Sequence, residues 1–288
     1  MNSWRVRAHG AFEATADEPP DSLRELLRAC MPNPPRRINR YIRLALIGAH
    51  RCLGSLEDPL APDTPVYMAS EQGNAAEAIS LLDEIVWHGR SPKPMSFINV
   101  SSNMVGYYLA ASFGLHGRNI NVARSHASFG AMLELASLEP YLQAPPQASI
   151  LLGTVAECVW PLANHRRRCK LPADTPLVEA SYWLLLGDKT EENAPRLAWA
   201  STMDEAQARA WLADGEYWAV DPHLADDRCR ALASKLDEQR LWSARLYHRG
   251  HQDAVVHALF TALQTQPAPR LHVVAGDPSG GYQLMGIW

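Results

Sequence analysis

The hydrophobic pattern of this chain is most orderly over Phe97–Leu138. Asn103–Phe113 has the spacing of an amphipathic helix, and Gly114 is a residue that readily ends one. Ile120–Ala123 alternates like a buried strand. His126–Leu138 is apolar on nearly every face, which is typical of a helix enclosed in the core. We therefore predict a strand, a sharp corner and a buried helix at the centre of the protein, with the corner as the place for a reactive group.

The segments on either side of this stretch alternate between strand and helix patterns, as in an α/β protein. The predicted strands cover residues 4–14, 66–70, 149–156, 178–187, 196–201, 217–220, 271–275 and 282–288. The predicted helices cover residues 22–31, 37–53, 74–88, 202–215, 226–240 and 253–264. The proline-bearing segments 91–97 and 140–146 are predicted as loops.

Composition narrows the class of protein. At 288 residues the chain can bury the core of one domain or of two closely packed ones. A net charge of −4 gives no basic footprint for nucleic acid, and no apolar run approaches the ~20 residues of a membrane span. The amino terminus lacks the apolar region of a secretory signal. The five cysteines form no CxxC pair, which favours free thiols and a cytoplasmic location.

Two motifs carry a family resemblance. The pattern N-M-V-x-x-x-L-x-x-x-x-G-L-x-G runs over Asn103–Gly117, and I-N-V-A and the corner follow it. The apolar strand SILLGTVA then precedes Glu157, near the acidic position of a Gly-Gly-x-Glu strand end. Together they resemble the β-ketoacyl synthases of the thiolase superfamily. The resemblance is specific over Arg37–Gly187 and weak beyond. It implies a thiolase-like layered α/β fold, with a ketosynthase-like first half over residues 1–190 and a shortened second half over 191–288, packed as one unit.

In the resembled family the corner residue is a cysteine that accepts the acyl chain. The amino end of the following helix favours its thiolate. The matching residue here is His126, which is either a catalytic base or a structural replacement in a site that lost its chemistry. Ser125 and Ser128 flank it, but R-S-H-A-S lacks the glycines of a nucleophile elbow. An acyl-enzyme route needs a covalent nucleophile, so we expect no condensing activity.

The family also uses two histidines from its second half. His223, after the predicted strand at 217–220, is a candidate for the first, although the Gly-Thr-Gly-Thr that follows it in the family is absent. His251, after Gly250, is a candidate for the second. Each is equally compatible with an ordinary loop histidine. Gly280-Gly281 resembles the family's glycine-rich gating loop or is simple turn chemistry.

No cofactor or metal is expected. The chain has no phosphate-cradling glycine loop followed by Lys-Ser or Lys-Thr. His165 and Cys169 can face each other on a helix, but no further residue stands at ligand spacing. The basic cluster in the loop after the 149–156 strand suits an acidic acyl carrier protein, a membrane surface or plain solvation. The cluster consists of Arg166, Arg167, Arg168 and Lys170.

The resemblance implies a catalytically inactive, chain-length-factor-type subunit. Such a subunit pairs with an active ketosynthase in type II polyketide systems, of which those making aryl polyenes match best, and shapes the tunnel for the acyl chain. Two alternatives stay open: a cysteine-less malonyl-thioester decarboxylase or acyltransferase acting on its own, and a scaffold without a tunnel. The predicted interface segment is Ser96–Tyr108. The predicted tunnel and interface residues are Asn103, Met104, Tyr107, Tyr108, Phe113 and Phe129.

Overall fold

The structure is a computed structural model that describes residues 2–16, 23–54, 56–125, 127–142, 149–187, 194–234, 236–242, 254–265 and 267–288. Its elements alternate as predicted for an α/β protein. The strands are β1 Asn2–Thr15, β2 Val66–Ala69, β3 Asn119–Val122, β4 Ser149–Ala156, β5 Val178–Gly187, β6 Arg196–Met203, β7 Tyr217–Val220, β8 Leu271–Gly276 and β9 Tyr282–Ile287. The helices are α1 Leu23–Cys30, α2 Arg40–Leu53, α3 Ala75–Val86, α4 Pro94–Asn99, α5 Met104–Phe113, α6 Ser128–Ala136, α7 Glu139–Leu142, α8 Leu162–Arg168, α9 Glu205–Asp214, α10 Asp226–Ala233 and α11 Ala254–Gln264, with a 3₁₀ turn at Glu238–Arg240.

All nine strands form one sheet in the order β3-β2-β4-β5-β1-β6-β9-β8-β7. In the first half β2 is parallel to β3 and β4, whereas β5 runs antiparallel to β4 and β1. From the centre outward, the second half repeats this strand arrangement. β9 is antiparallel to both β6 and β8, and β7 is parallel to β8. The two halves join where Asn2–Arg5 pairs with Arg196–Trp199.

The described residues of the second half contain no full counterpart of β3. In the described part of the chain, the position beside β7 holds only a single bridge between Trp218 and Leu241, supported by a 2.8 Å hydrogen bond from the backbone N–H of Trp242 to the Trp218 carbonyl. The shortening of the second half stays a prediction, because residues 243–253, which follow this bridge, lie outside the described residues. The predicted boundary at residue 190 lies outside the described residues.

Helices α6 and α11 pack on one face of the sheet in a cluster that takes side chains from both halves. α6 contacts β2 and β3 at one edge and also β6. Since β6 is five strands from β3 and strands are about 4.8 Å apart, a flat sheet would separate these contacts by about 24 Å, twice the diameter of a helix. The sheet must therefore curve around α6. Helices α1, α2 and α5 cover the opposite face of the first half, and α9 and α10 that of the second.

Helix α2 packs directly on the backbone of β1. A Cβ atom at Gly10 would lie 2.2 Å from the backbone nitrogen of Cys52, far inside van der Waals contact. Only glycine lets the helix approach so closely. This contact fixes the distance between the outer helices and the sheet, and hence the position of the segment that precedes α2.

Local structure differs from the predictions in the proline-bearing segments. The predicted loop at 91–97 contains helix α4, because Pro94 occupies the first helical position, where its missing N–H has no partner to lose. The basic cluster lies mostly on α8 rather than in a loop. The helix predicted for 226–240 ends at Ala233. The fold class itself is confirmed.

Two expectations from composition concern the membrane and the cysteines. Over the part of the chain that the structure covers, no helix has the length and apolar character needed to cross a bilayer. All five cysteines lie among the described residues, and none forms a disulfide.

Replacing Gly10 by alanine is expected to destabilise the fold by about 3 kcal/mol, because the new Cβ would overlap helix backbone rather than a movable side chain. Urea denaturation followed by circular dichroism measures the change. Gly89→Ala is the matched control: Gly89 has φ +57° and open space around it, so only a backbone cost of about 1 kcal/mol applies. Equal stability of the two variants would contradict the close packing of α2 on β1.

Candidate functional site

The corner between β3 and α6 is strained at Ser125. Its φ of +51° lies in the left-handed region, which non-glycine residues rarely adopt. The serine side chain is exposed. The sequence predicted a sharp corner here, but it assigned the reactive position to His126, which lies outside the described residues.

Ser128 holds this corner in place. Its buried hydroxyl accepts a 2.7 Å hydrogen bond from the backbone N–H of Arg124 and lies 2.7 Å from the carbonyl oxygen of Ser125 and 3.1 Å from that of Ser70. The backbone N–H of Ser128 also donates to the Ser125 carbonyl, at 3.1 Å. Ser128, the first residue of α6, thus offsets the backbone strain of Ser125.

A cleft of about 280 Å³ opens beside the corner, between the two halves of the protein. The first half contributes the corner. The second half contributes the loop after β7, the start of α10 and the loop after β8. The lining residues are Arg124, Ser125, Ala127, Asp221, His223, Leu224, Ala225, Arg228, Gly276, Asp277 and Pro278.

His223 lines the same cleft as Ser125. Its backbone N–H donates to the carboxylate of the buried Asp221 at 2.9 Å, and Leu224 N–H donates to the Asp221 carbonyl at 3.0 Å. These bonds fix the turn that carries the histidine. Of the two family histidines that the resemblance implied, His223 is therefore beside the corner, and His251 falls outside the described residues.

The glycine-rich loop at 276–281 is tied to α10 by Arg228. The guanidinium donates to the carbonyl oxygens of Gly280 and Gly281, at 3.1 and 2.7 Å, and stacks 4.2 Å from the centre of the Tyr282 ring. Partial burial raises the pKa of Asp277 in the same loop, but hydrogen bonds from Ser279 and the charge of Arg124 outweigh it, so that pKa lies below its usual value.

A second polar group is buried at the carboxyl end of β4. Glu157 is only 6% exposed, and burial followed by repulsion from Glu179 raises its pKa from 4.5 to about 8. Glu179 itself accepts hydrogen bonds from the Arg40 guanidinium and from the Cys158 N–H. Burial also raises the pKa of the Cys158 thiol, so this cysteine is a poor thiolate.

The predicted tunnel residues do not share one surface. Phe129 packs in the central layer, whereas Tyr108 and Phe113 belong to the cluster on the opposite face of the sheet, where the Phe113 ring lies 4.6 Å from that of His50. Met104, the first residue of α5, packs against that same outer cluster, and Asn103 precedes it as the N-cap. Tyr107 is 60% exposed.

The predicted carrier-protein cluster is partly occupied by internal contacts. Arg166 donates to the Thr175 carbonyl at 2.8 Å, Arg168 donates to Gln72, and Arg167 lies 3.4 Å from Asn164. Next to this cluster, Cys169 lies 3.6 Å from His165, as their spacing predicted. No group of metal-binding side chains occurs among the residues the structure covers.

A larger basic concavity, of about 640 Å³, lies at the ends of α1 and α2, and we refer to it as the arginine cleft. Sequence reasoning missed it because its arginines come from two helices and the loop between them. Burial and the nearby charges of Arg24 and Arg40 lower the pKa of Arg43, as expected where guanidinium groups gather. Among the residues that the structure describes, no carboxylate lines this cleft. The described lining residues are Arg24, Leu27, Arg28, Pro32, Asn33, Pro34, Pro35, Arg36, Arg37 and Arg43.

An exposed apolar surface, the α3–α4 face, was missed in part. Trp87 at the end of α3 is 79% exposed, and Phe97 on the contacting helix α4 is 66% exposed. The predicted interface segment Ser96–Tyr108 includes Phe97 and Ile98, but the contribution of α3 was not predicted, because an apolar pattern does not distinguish a core contact from a partner contact. The face consists of Leu82, Ile85, Val86, Trp87, Phe97 and Ile98.

Comparison with known proteins establishes what this architecture is. No protein-family model and no curated protein matches the chain. Among solved structures, the ishigamide ketosynthase/chain length factor aligns with a TM-score of 0.71 and 15% identity, over 100% of this chain and 99% of that one. The ketosynthase ApeO in complex with its chain length factor ApeC, from Xenorhabdus doucetiae, aligns with a TM-score of 0.52 and 15% identity, over 100% and 99%.

The cerulenin-bound OleA of Xanthomonas campestris is a third similar structure, with a TM-score of 0.56 and 10% identity over 99% of this chain and 96% of that one. The chain therefore has the thiolase-like fold of ketosynthases, and the predicted resemblance is confirmed at the level of the fold. At 10–15% identity these likenesses concern architecture.

The raised pKa of Glu157 predicts a pH-dependent stability. Between pH 4.5 and about 8 the folded protein keeps a proton on Glu157 that the unfolded chain loses, so the free energy of unfolding falls as pH rises through this window. Glu157→Gln, which is neutral throughout, is expected to show a shallower fall in denaturant titrations at pH 5 and pH 8. The exposed Glu238→Gln serves as control, and a Glu157→Gln slope equal to the wild type would contradict the prediction.

Proposed function

We propose that this protein is a ketosynthase-like subunit of the chain-length-factor type, without condensing activity of its own. It would pair with a catalytic ketosynthase in a type II polyketide system of the aryl polyene kind and act in the cytoplasm. One observation carries the proposal: the thiolase-like corner is intact, yet the sequence has no cysteine between Cys52 and Cys158. Cys158 is buried and its thiol pKa is raised, so it is no substitute for the acyl-carrying thiolate.

The edge of the sheet supports a protein partner. β3 is the outermost strand and pairs with β2 on its inner side. Its sequence, Asn-Ile-Asn-Val, carries none of the charges or prolines that protect exposed edges. Exposed apolar side chains flank it, with Tyr107 on α5 and Leu135, Leu138 and Tyr141 on α6 and beyond. Exposed apolar side chains such as these and those of the α3–α4 face are typical of protein–protein contacts.

We assign the ketosynthase to this surface. Two of the similar structures are described as a ketosynthase with a chain length factor, which favours a ketosynthase over a second copy of this chain. An obligate interface of this kind buries more than ~2,000 Å² in total. Within the predicted interface segment Ser96–Tyr108, Phe97, Ile98 and Tyr107 fit such an interface best, since they are exposed. We propose that the acyl tunnel is completed there by the partner.

An acyl carrier protein would dock on basic surfaces of this chain. The cluster Arg166–Lys170 remains one proposed surface. The arginine cleft is a stronger one, because its five arginines form no ion pair with a described residue and face no lining carboxylate. An anionic partner reduces the repulsion among these positive charges. A positively charged surface also increases the rate at which such a partner associates.

A second candidate function is decarboxylation of malonyl thioesters by the isolated chain. The position of His223 in the cleft favours it, since a histidine there can hydrogen-bond a thioester carbonyl. Release of carbon dioxide from a malonyl carrier protein by the isolated chain would support this candidate, and its absence would leave the pairing function.

Trp87→Asp is expected to weaken binding to the proposed partner ketosynthase by at least ~30-fold, the effect of losing one central aromatic contact. Co-purification and sedimentation velocity measure the complex. Trp160→Asp is the matched control, because Trp160 is 50% exposed but precedes α8 and does not belong to the α3–α4 face. If the chain sediments as a monomer and forms no complex when the ketosynthase is added, the pairing is refuted. Condensation by the isolated chain would refute it as well.

Reversing charge in the arginine cleft is expected to reduce carrier-protein binding by ~10-fold or more, with the loss greatest at low salt. The variant is Arg28→Glu with Arg36→Glu, both exposed. The comparison variant is Arg167→Glu with Lys170→Glu on the α8 cluster, which changes the net charge equally. Calorimetric titration with the carrier protein at two salt concentrations gives the affinities. If only the second variant loses affinity, docking belongs to the α8 cluster.

A further inference from the structure

We propose that Cys169 is a site of reversible thiol–disulfide exchange that takes anionic, low-molecular-weight disulfides. This thiol lies at the end of α8 and is not among the residues that line the cleft at the corner. Two N–H donors face its sulfur, and cationic side chains lie beside it. The proposed exchange goes beyond the pairing with a ketosynthase.

The first donor is the side-chain amide of Gln72, in the loop after β2. Its Nε2 lies 2.9 Å from the Sγ of Cys169. The Gln72 Oε1 accepts a hydrogen bond from the guanidinium of Arg168. Because a guanidinium only donates, Arg168 fixes the orientation of the amide. The N–H group of Gln72, rather than its carbonyl, therefore points at the sulfur.

The second donor is the imidazole of His165, one helical turn before Cys169. Its Nε2 lies 3.6 Å from Sγ, and its Nδ1 accepts the backbone N–H of Val159 at 3.0 Å. Burial, together with the charges of Arg168 and Arg166, lowers the pKa of His165 to about 4, so the ring is neutral at pH 7. A neutral imidazole carries one proton. Since Nδ1 is an acceptor, that proton is on Nε2 and faces the sulfur.

These contacts favour a nucleophilic sulfur. Hydrogen bonds to an anion are stronger than those to a neutral group, so both donors stabilise the Cys169 sulfur as it loses its proton and attacks. The side chain is half-buried, which leaves it accessible to a small reagent. The negative end of the α8 dipole acts in the opposite direction. Hydrogen bonds to a charged group contribute more than a helix dipole does, however, and α8 has only seven residues.

Other cysteines of the chain provide a contrast. Cys229 is also half-buried, but its thiol donates to the carbonyl oxygen of Leu224 at 3.5 Å, a bond that is lost when the sulfur loses its proton. Cys52 and Cys158 are buried, and burial raises the pKa of both thiols. Cys169 combines access with donors that face the sulfur.

The charge beside Cys169 indicates which disulfides it would take. Arg167, Arg168 and Lys170 are its neighbours in sequence, and all three are exposed. Positive charge attracts an anionic reagent and increases its rate of encounter. It also stabilises the thiolate that leaves when the disulfide breaks. The site therefore suits a small disulfide that carries carboxylates.

The exchange balances with the disulfide as the oxidant. The Cys169 thiol releases its proton to water, and its sulfur attacks one sulfur of the reagent. The S–S bond of the reagent breaks, and the departing half leaves as a thiolate that takes up a proton. Cys169 and one half of the reagent end as a mixed disulfide, and the other half ends as a thiol. A small thiol reverses the reaction by the same route.

The test uses the full chain with oxidised glutathione, which is anionic, and separately with neutral hydroxyethyl disulfide. Remaining thiols are trapped with N-ethylmaleimide at intervals, and peptide mapping gives the rate at each cysteine. Oxidised glutathione is expected to modify Cys169 at least ~10-fold faster than Cys30 and Cys229, the other half-buried thiols. Reduced glutathione should then restore the free thiol.

Two variants separate the donor from the charge. Gln72→Leu removes one N–H donor at nearly constant volume and is expected to slow the modification of Cys169 about 5-fold with either reagent. Gln239→Leu is the matched control, because Gln239 is an exposed glutamine on the 3₁₀ turn. Arg167→Glu with Lys170→Glu is expected to slow the reaction with oxidised glutathione only, most strongly at low salt.

Circular dichroism checks that each variant is folded. Equal rates at Cys169, Cys30 and Cys229, or an unchanged rate in folded Gln72→Leu, would overturn the proposal. It would also be overturned if the charge-reversed variant reacted with oxidised glutathione as fast as the wild type, or if reduced glutathione restored no thiol. Since these measurements need neither ketosynthase nor carrier protein, their failure would leave the proposed pairing intact.

Discussion

The enclosure of helix α6 is the constraint on which the rest of the structure depends. It contacts β2 and β3 at the sheet edge and β6 near the centre, so the sheet must curve around it. The chain can enter such a helix only by turning sharply out of β3. That turn produces the left-handed residue Ser125, the supporting hydroxyl of Ser128 and the cleft where the two halves meet. The candidate site therefore follows from the packing of one apolar helix.

The fully buried elements were the easiest to predict. β4, β5 and β7 occupy the predicted residues, because a strand covered on both faces is a continuous apolar run with distinct ends. The left-handed Gly114 ends α5 as its position suggested. Helix ends at the surface were less predictable, as α10 shows by stopping at Ala233. There solvent can replace the backbone hydrogen bonds, so the sequence places few constraints on the boundary.

Only part of the candidate site could be predicted from sequence. The corner and His223 could be named from the sequence because each directly follows a strand that the hydrophobic pattern predicts. The arginine cleft and the contribution of α3 to the α3–α4 face could not, since each depends on which sides of separate helices meet. The strain at Ser125 was missed for a related reason: a backbone dihedral outside the common regions is imposed by tertiary packing, and serine has no local preference for it.

The two edges of the sheet differ in a way that bears on assembly. At the β7 edge the bridge from Trp218 to Leu241 covers part of the strand. At the β3 edge, strand and flanking apolar side chains are left open. Because the two halves otherwise repeat one strand order, this asymmetry among the described residues supports the proposed association at the first half. The corner lies immediately after β3, so a partner bound at that edge would lie close to the cleft.

The retention of serine at the strained corner is the last step of this argument. A left-handed backbone costs a non-glycine residue about 1–2 kcal/mol, whereas glycine adopts it freely. If the corner served packing alone, glycine at position 125 would relieve the strain and lose only an exposed hydroxyl. The chain instead keeps a side chain there and offsets its strain through Ser128. The same left-handed conformation occurs at Arg37, Lys170 and Thr202, so the strain at Ser125 counts only together with its position at the entrance to α6 and beside the cleft.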